Sequence, residues 1–293
     1  MGTDEPRRWG LDEFLSLFDL EEIGEDAYLG KNPARGPWTR VFGGQVIAQA
    51  IRAAQLSVPQ ERSIHSAHAY FIRPGKTGEP IYFHVDRPRD GRSFTTRYVA
   101  AMQGSEVIFD MIASFHVSEA GAEYQVPRAT DVPSPDDAPE PEMPPEFRGR
   151  MRSMMPFDMR ELGPQPPEVG AYRSTRRVWF KTTGRLPDDP ALHACVLAFA
   201  SDMGVVSAAR APAAGEDMWT TFTRFMSASL DHAVWFHRHV RADEWVLMDL
   251  RAISNHGARG LAMGTMHTED GELGVSIAQE ALIRPLLTEV PRS

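Results

Sequence analysis

Apolar residues along the chain recur first at helical spacing and then in alternation, and this order appears twice. In Gly43 to Ala54, the residues Val46, Ile47, Ala50, Ile51 and Ala54 share one face of a 3.6-residue repeat behind the glycines Gly43 and Gly44, which predicts an amphipathic helix. Four strand-like runs follow at 64–73, 80–87, 93–102 and 106–115, separated by turns reading Gly-Lys-Thr-Gly, Arg-Asp-Gly-Arg and Gln-Gly-Ser. The second half opens on a predicted helix with Asp189 as cap and Pro190 in first position, running to about Asp202 and closed by Gly204. Ala194 to Ala200 are apolar on every face, so this helix is predicted to be enclosed by protein. Four more strand-like runs lie at 229–240, 244–254, 258–268 and 273–284, the last hairpin marked by Asp270-Gly271.

Ser105 to Phe115 aligns with Glu272 to Leu282, and Tyr70 to Arg73 with Trp235 to Arg238, so the chain reads as an internal duplication. Between the copies, Pro127 to Pro167 hold 11 of the 23 prolines, mixed with Asp136, Asp137, Glu140, Glu142 and Glu146. That is linker composition; within it, Met151 to Phe157 is a candidate docking segment. The expected organisation is residues 1–120, a proline-rich linker at 121–169, and residues 170–293. An enclosed helix followed by a long antiparallel run predicts an α+β chain of two antiparallel sheets, each wrapped around a central helix. This is a double hotdog, with the sheets paired edge to edge as a pseudo-dimer.

At 293 residues and 42% hydrophobic, the chain has enough apolar surface for sizeable cores. Cys195 is the only cysteine, which excludes an internal disulfide and fits a reducing, cytoplasmic setting. No apolar run approaches membrane-spanning length, and the termini carry no secretory, myristoylation or peroxisomal signal, so no membrane insertion is expected. The net charge of −9 argues against nucleic acid as a partner.

Taken alone, Asp202 reads as an exposed helix end, and Ser229 and Gln279 as ordinary strand residues. Cys195 sits mid-helix and reads as an inert core thiol. Asp231 and His232 are adjacent on a strand, point to opposite faces and cannot share one proton path. His237 and His239 share a face at period two, but no third ligand completes a metal set. Gly274 to Ala278 imitates a nucleophile elbow without its second glycine.

Longer segments change this picture. Val41 to Ala50, His65 to Gly75, Arg89 to Phe94, Ala200 to Asp202, Leu230 to Arg238 and Ala258 to Gly260 resemble the signatures of the acyl-CoA thioesterase II family, the bacterial TesB type with its peroxisomal relatives. The resemblance runs from about Leu11 to Arg284. It implies a double-hotdog hydrolase that cleaves fatty acyl-CoA to free acid and CoA, with no metal, no cofactor and no covalent intermediate, assembled as a homodimer or tetramer. It places the family's aspartate on Asp202, its hydroxyl residue on Ser229, where some relatives carry Thr, and its glutamine on Gln279. Such a trio is chemically sensible: a carboxylate accepts a proton from water, while a hydroxyl and an amide orient that water. Burial and the negative end of a helix would both raise the pKa of Asp202. Gly43 and Gly44 are candidate oxyanion donors. His65 is a candidate substrate contact, weighed against a hydrogen-bonded structural histidine. Two alternatives are a hotdog enoyl-CoA hydratase, whose Asp-x-Asn-Pro run followed by His is absent from the chain, and a non-catalytic acyl-CoA binding protein, which would keep Asp202, Ser229 and Gln279 apart.

Overall fold

The computed structural model describes residues 9–34, 39–139, 155–162, 174–210 and 224–286. Its elements run α1 (Leu11–Leu15), a short 3-10 turn (Ser16–Phe18), β1 (Glu21–Gly24), β2 (Ala27–Gly30), α2 (Gly43–Leu56), β3 (Arg62–Phe71), β4 (Ile81–Asp90), β5 (Phe94–Gln103), β6 (Glu106–Val117), β7 (Phe157–Leu162) and β8 (Ser174–Thr182). They continue with α3 (Pro190–Ser201), α4 (Val205–Ala209), β9 (Phe225–Ser229), β10 (Asp231–Phe236), β11 (Val246–His256), β12 (Arg259–Thr268) and β13 (Leu273–Pro285). Both helices anticipated from periodicity form. Asp189 Oδ1 accepts from the Ala191 amide at 2.9 Å, and Pro190 occupies the first turn of α3, where a missing N–H costs nothing.

The strands form one 13-stranded ladder, in the order β1-β2-β4-β5-β6-β3-β10-β13-β12-β11-β8-β7, with β9 also on β13. The two halves join edge to edge. β3 and β10 pair antiparallel, from Asp231 opposite Tyr70 to Trp235 opposite Ser66, so the first-half and second-half strands meet at the centre of a continuous sheet. Closing the two innermost edges on each other leaves neither as an unpaired row of backbone groups.

Alternation decides which face is covered. On β5, Thr95, Arg97, Val99 and Ala101 are buried, and on β6 Phe109, Met111, Ala113 and Phe115; these side chains point towards α2, whose Val46, Ile47, Ala50, Ile51 and Ala54 are buried in turn. Helix α3 packs on α2 and on the central strands β3 and β10, while α4 lies over β11, β12 and β13. Every residue of α3 from Cys195 to Ser201 is buried, as its all-round apolar character requires. Phe199 ties the layers together, meeting Phe14 edge-on at 4.9 Å and Phe42 at 5.0 Å between ring centroids, and one apolar core runs through both halves.

The proline-rich segment is described in part. Residues 140–154 and 163–169 lie outside the described residues, and with them most of the Met151–Phe157 docking segment. The part that is described is integrated: β7 pairs with β8 at the sheet edge, Phe157 stacks 27° from parallel on Phe199, and Trp179 donates to the Pro133 carbonyl at 3.0 Å. Among the described residues no helix is long and apolar enough to cross a membrane.

Candidate active site

Asp202 is the C-cap of α3, and Gly204 two residues on turns the chain at φ +79. A Cβ on Gly204 would stand 2.5 Å from the Arg176 guanidinium, so glycine is demanded there by both conformation and space. Arg176 earns that closeness by donating to the Met203 carbonyl at 2.7 Å while its other nitrogens hold Glu161 at 2.9 and 3.0 Å. The turn that aims Asp202 is thereby clamped from β7 and β8.

The carboxylate points at the start of α2. Gly44 donates its backbone N–H to Asp202 Oδ2 at 2.9 Å, so the positive end of one helix meets the negative end of the other with a carboxylate between them. The glycine pair is explained by that approach. A Cβ on Gly43 would lie 2.6 Å from Asp202 Oδ2, and one on Gly44 would lie 2.3 Å from the Phe199 carbonyl oxygen.

Ser229 and Gln279 reach the same place from the sheet. The strand-like run anticipated at 229–240 is in fact interrupted at Leu230. β9 pairs with β13 through Ser229 opposite Ala281, and β10 through Ala233 opposite Ala278, so Leu230 and Asp231 together face Glu280. This is a bulge. The Leu230 amide bonds the Glu280 carbonyl at 2.9 Å and the Glu280 amide bonds Asp231 Oδ1 at 2.6 Å, which keeps the interrupted ladder satisfied. Gln279, fully buried, donates from Nε2 to Ser229 Oγ at 2.8 Å.

Asp202 is 7% exposed, and its Oδ1 is buried without a full hydrogen bond among the described residues. Burial raises its pKa from 3.8 to about 7, against the opposing pull of Gln279, the Gly44 amide and Ser229. A carboxyl that titrates near neutrality is matched to taking a proton from water.

Sequence reasoning missed one member. His232 is 1% exposed, with Nδ1 against Gln279 Oε1 and Nε2 at 2.8 Å from Ser201 Oγ. On an unbroken strand, residues three apart lie on opposite faces; the bulge brings Ser229 and His232 to opposite ends of the same glutamine. Asp231 is turned to the backbone of β13 instead, so the Asp-His pair shares no proton path, as alternation required.

The other singled-out residues fall elsewhere. His65 does not join this group. A register shift between Ile64 and Ser66 leaves it on the outer face of the sheet, where Nε2 meets Ser114 Oγ at 2.8 Å and the ring packs edge-on against Phe94. Gly44 does reach the site, but its amide is engaged by Asp202. His237 bonds Ser276 at 2.8 Å while His239 packs on His193, both past the end of β10. Among the described residues no three of His, Cys, Asp and Glu gather as a metal set. Cys195 is buried, its thiol pushed up to about 12 by desolvation. Ser276 lies inside β13, away from any strand-to-helix turn.

The profile of the acyl-CoA thioesterase N-terminal domain matches residues 34–116, and that of the C-terminal domain residues 128–283. Acyl-CoA thioesterase 2 of Haemophilus influenzae is 33% identical over 94% of this chain and 98% of its own. The crystal structure of an acyl-CoA thioesterase II, TesB2, from Mycobacterium marinum superposes with a TM-score of 0.80 at 36% identity, covering 94% of this chain and 99% of that one. A protein with a hot dog fold from Alicyclobacillus acidocaldarius shares the fold at 18% identity, with a TM-score of 0.73 over 94% of this chain and 98% of its own. The chain therefore belongs to the acyl-CoA thioesterase II family, built on the hotdog fold.

Proposed function

We propose that this protein hydrolyses fatty acyl-CoA to free fatty acid and CoA, with Asp202, Ser229 and Gln279 activating a water. The observation that carries the proposal is a buried carboxyl with a pKa of about 7, set between the N-terminus of α2 and the amide–hydroxyl pair of Gln279 and Ser229. Asp202 takes one proton from water as the oxygen attacks the thioester carbonyl carbon. The negative charge passes to the carbonyl oxygen, stabilised by the positive end of α2 at Gly43. Collapse breaks the carbon–sulfur bond, and the departing CoA thiolate recovers the proton from Asp202. Ser229 and Gln279 orient the water and do not bond to carbon. A binding protein without catalysis has no use for this convergence, and the hydratase alternative lacks its sequence run.

The hydrolytic rate follows the ionised form of Asp202. kcat/KM for a medium-chain acyl-CoA is expected to rise with pH through an apparent pKa of about 7 and then level off, because only the carboxylate accepts a proton. Released thiol measured across the pH range tests this, and the buried Cys195 adds no background in folded protein. A rate already flat from pH 5 upwards would sink Asp202 as the base.

The sheet order supports a reading as two hotdog units, residues 1–120 and 170–293, with 121–169 between them; β7, within that segment, pairs with β8 of the second unit. The outer sheet face exposes Tyr70 at 63% and Ile112 at 51% beside the half-exposed Phe94, apolar area of a kind that marks an interface. From this we infer a homodimer or tetramer, acting in a reducing cytoplasm consistent with the single thiol. Light scattering at micromolar concentration should give at least twice the 32.7 kDa of the chain; a monomer overturns the inference.

A further inference from the structure

The hydrogen bonds on either side of His232 fix how its ring is protonated. Desolvation lowers its pKa to about 4, so the ring is neutral and offers one donor and one acceptor. Gln279 presents Oε1 to the ring's Nδ1 and donates from Nε2 to Ser229 Oγ. An oxygen facing Nδ1 requires that nitrogen to carry the proton, which makes Nε2 the acceptor. It lies 2.8 Å from Ser201 Oγ. That hydroxyl also donates to the Ala198 carbonyl at 2.7 Å, so its single proton is shared between the carbonyl and Nε2. The opposite amide orientation would turn an oxygen towards the carboxylate of Asp202 and set two acceptors against each other.

We propose that His232 is a positioning residue: its Nδ1–H locks the Gln279 amide so that the NH2 group faces Ser229 and Asp202. The chain of bonds runs from the last residue of α3 through β10 to β13 and returns to the carboxylate beside where it began. Asp202 and Ser201 are adjacent, so the helix end that supplies the base also touches the far side of the ring that holds Gln279. The inference rests on Gln279 having the part given to it above.

The test is a mutant cycle with an independent spectroscopic arm. His232→Leu is expected to lower kcat by about 10- to 100-fold with KM within about twofold, as loss of an interaction serving the transition state does. His232→Asn, whose side-chain nitrogen stands near the place of Nδ1, should recover at least about a third of wild-type kcat by restoring the donor. In a Gln279→Ala background the Leu substitution should change kcat by less than about twofold, since residues acting through one another are non-additive. A wild-type kcat in folded His232→Leu, or the same loss in both backgrounds, overturns the proposal. Should the Leu variant fail to fold, nitrogen-15 spectra of the wild-type protein decide: a proton on Nδ1 of His232 upholds it and one on Nε2 overturns it. Gln279→Ala with a wild-type rate would instead remove the reading of the site, and this inference with it; a silent His232→Leu beside an impaired Gln279→Ala removes only the inference.

Discussion

Asp202→Asn is expected to lower kcat by about 10² to 10⁴, the usual cost of losing a general base, and to leave the fold intact. The asparagine oxygen still accepts from the Gly44 amide, so the contact between α2 and α3 survives while the proton acceptor does not. Stability should respond in the opposite sense to activity. Because the native pKa is raised from 3.8 to about 7, the folded protein holds a proton that the unfolded chain releases in that window. The stability from that proton is complete below pH 3.8 and is lost as the pH rises through about 7. Asparagine does not titrate. At pH 8 the variant should therefore melt at or above the wild-type temperature, and the advantage should shrink as the pH falls towards 4. Steady-state hydrolysis and thermal unfolding at both pH values measure this; a folded variant retaining more than about half the wild-type kcat would make Asp202 structural.

Gly44→Ala should damage both stability and rate. The added methyl would sit 2.3 Å from the Phe199 carbonyl oxygen and 2.5 Å from Phe42 Cε1. The first neighbour is backbone and cannot rotate away, so α3 must shift relative to α2, carrying Asp202 with it. Overpacking of this kind costs about 1–3 kcal/mol, and displacing a catalytic group by about 1 Å can cost about 10² in rate. A melting temperature and kcat for Gly44→Ala, beside a Gly10→Ala control where nothing lies within 4 Å, give the comparison. Wild-type values for Gly44→Ala would mean that the two helices have slack at this junction and that the carboxylate is not held by their spacing.

The periodic elements were readable because each buries one face: α2 and the strands of both halves stand within a few residues of their expected limits. The enclosure of α3 was readable for the converse reason, having no polar face at all. β8 escaped notice because its alternation is disguised. Arg176 is buried there, and its charge is matched by Glu161 and a carbonyl, partners no local pattern announces. β7 is a short edge strand in a proline-rich region that exists because β8 offers it a ladder. Ser229 and Gln279 came from resemblance alone, since nothing in their spacing brings them together; that needs the bulge at Leu230, which depends on Asp231 replacing a backbone acceptor for Glu280. His232 was hidden by the same bulge, and the outward placement of His65 turns on a one-residue register shift.

Helices α2 and α3 meet at a second junction, where α2 ends and α3 begins. There Gln55 donates to the Ala191 carbonyl at 3.1 Å, and the residue capping α2, in the place corresponding to Asp202, is Ser57. The Ser57 hydroxyl and carbonyl receive Arg97 at 2.9 and 3.0 Å. A symmetric pair of separate subunits would be obliged to keep both junctions alike, because one gene would encode each. Fusion into a single chain lifts that obligation: one junction is free to carry an acid that weakens the fold when it ionises, and the other an embedded cation that braces it. On the mechanism proposed above, such a molecule would turn over substrate at one place per chain, and its first half would be free to drift in sequence as long as it continued to present Gly44.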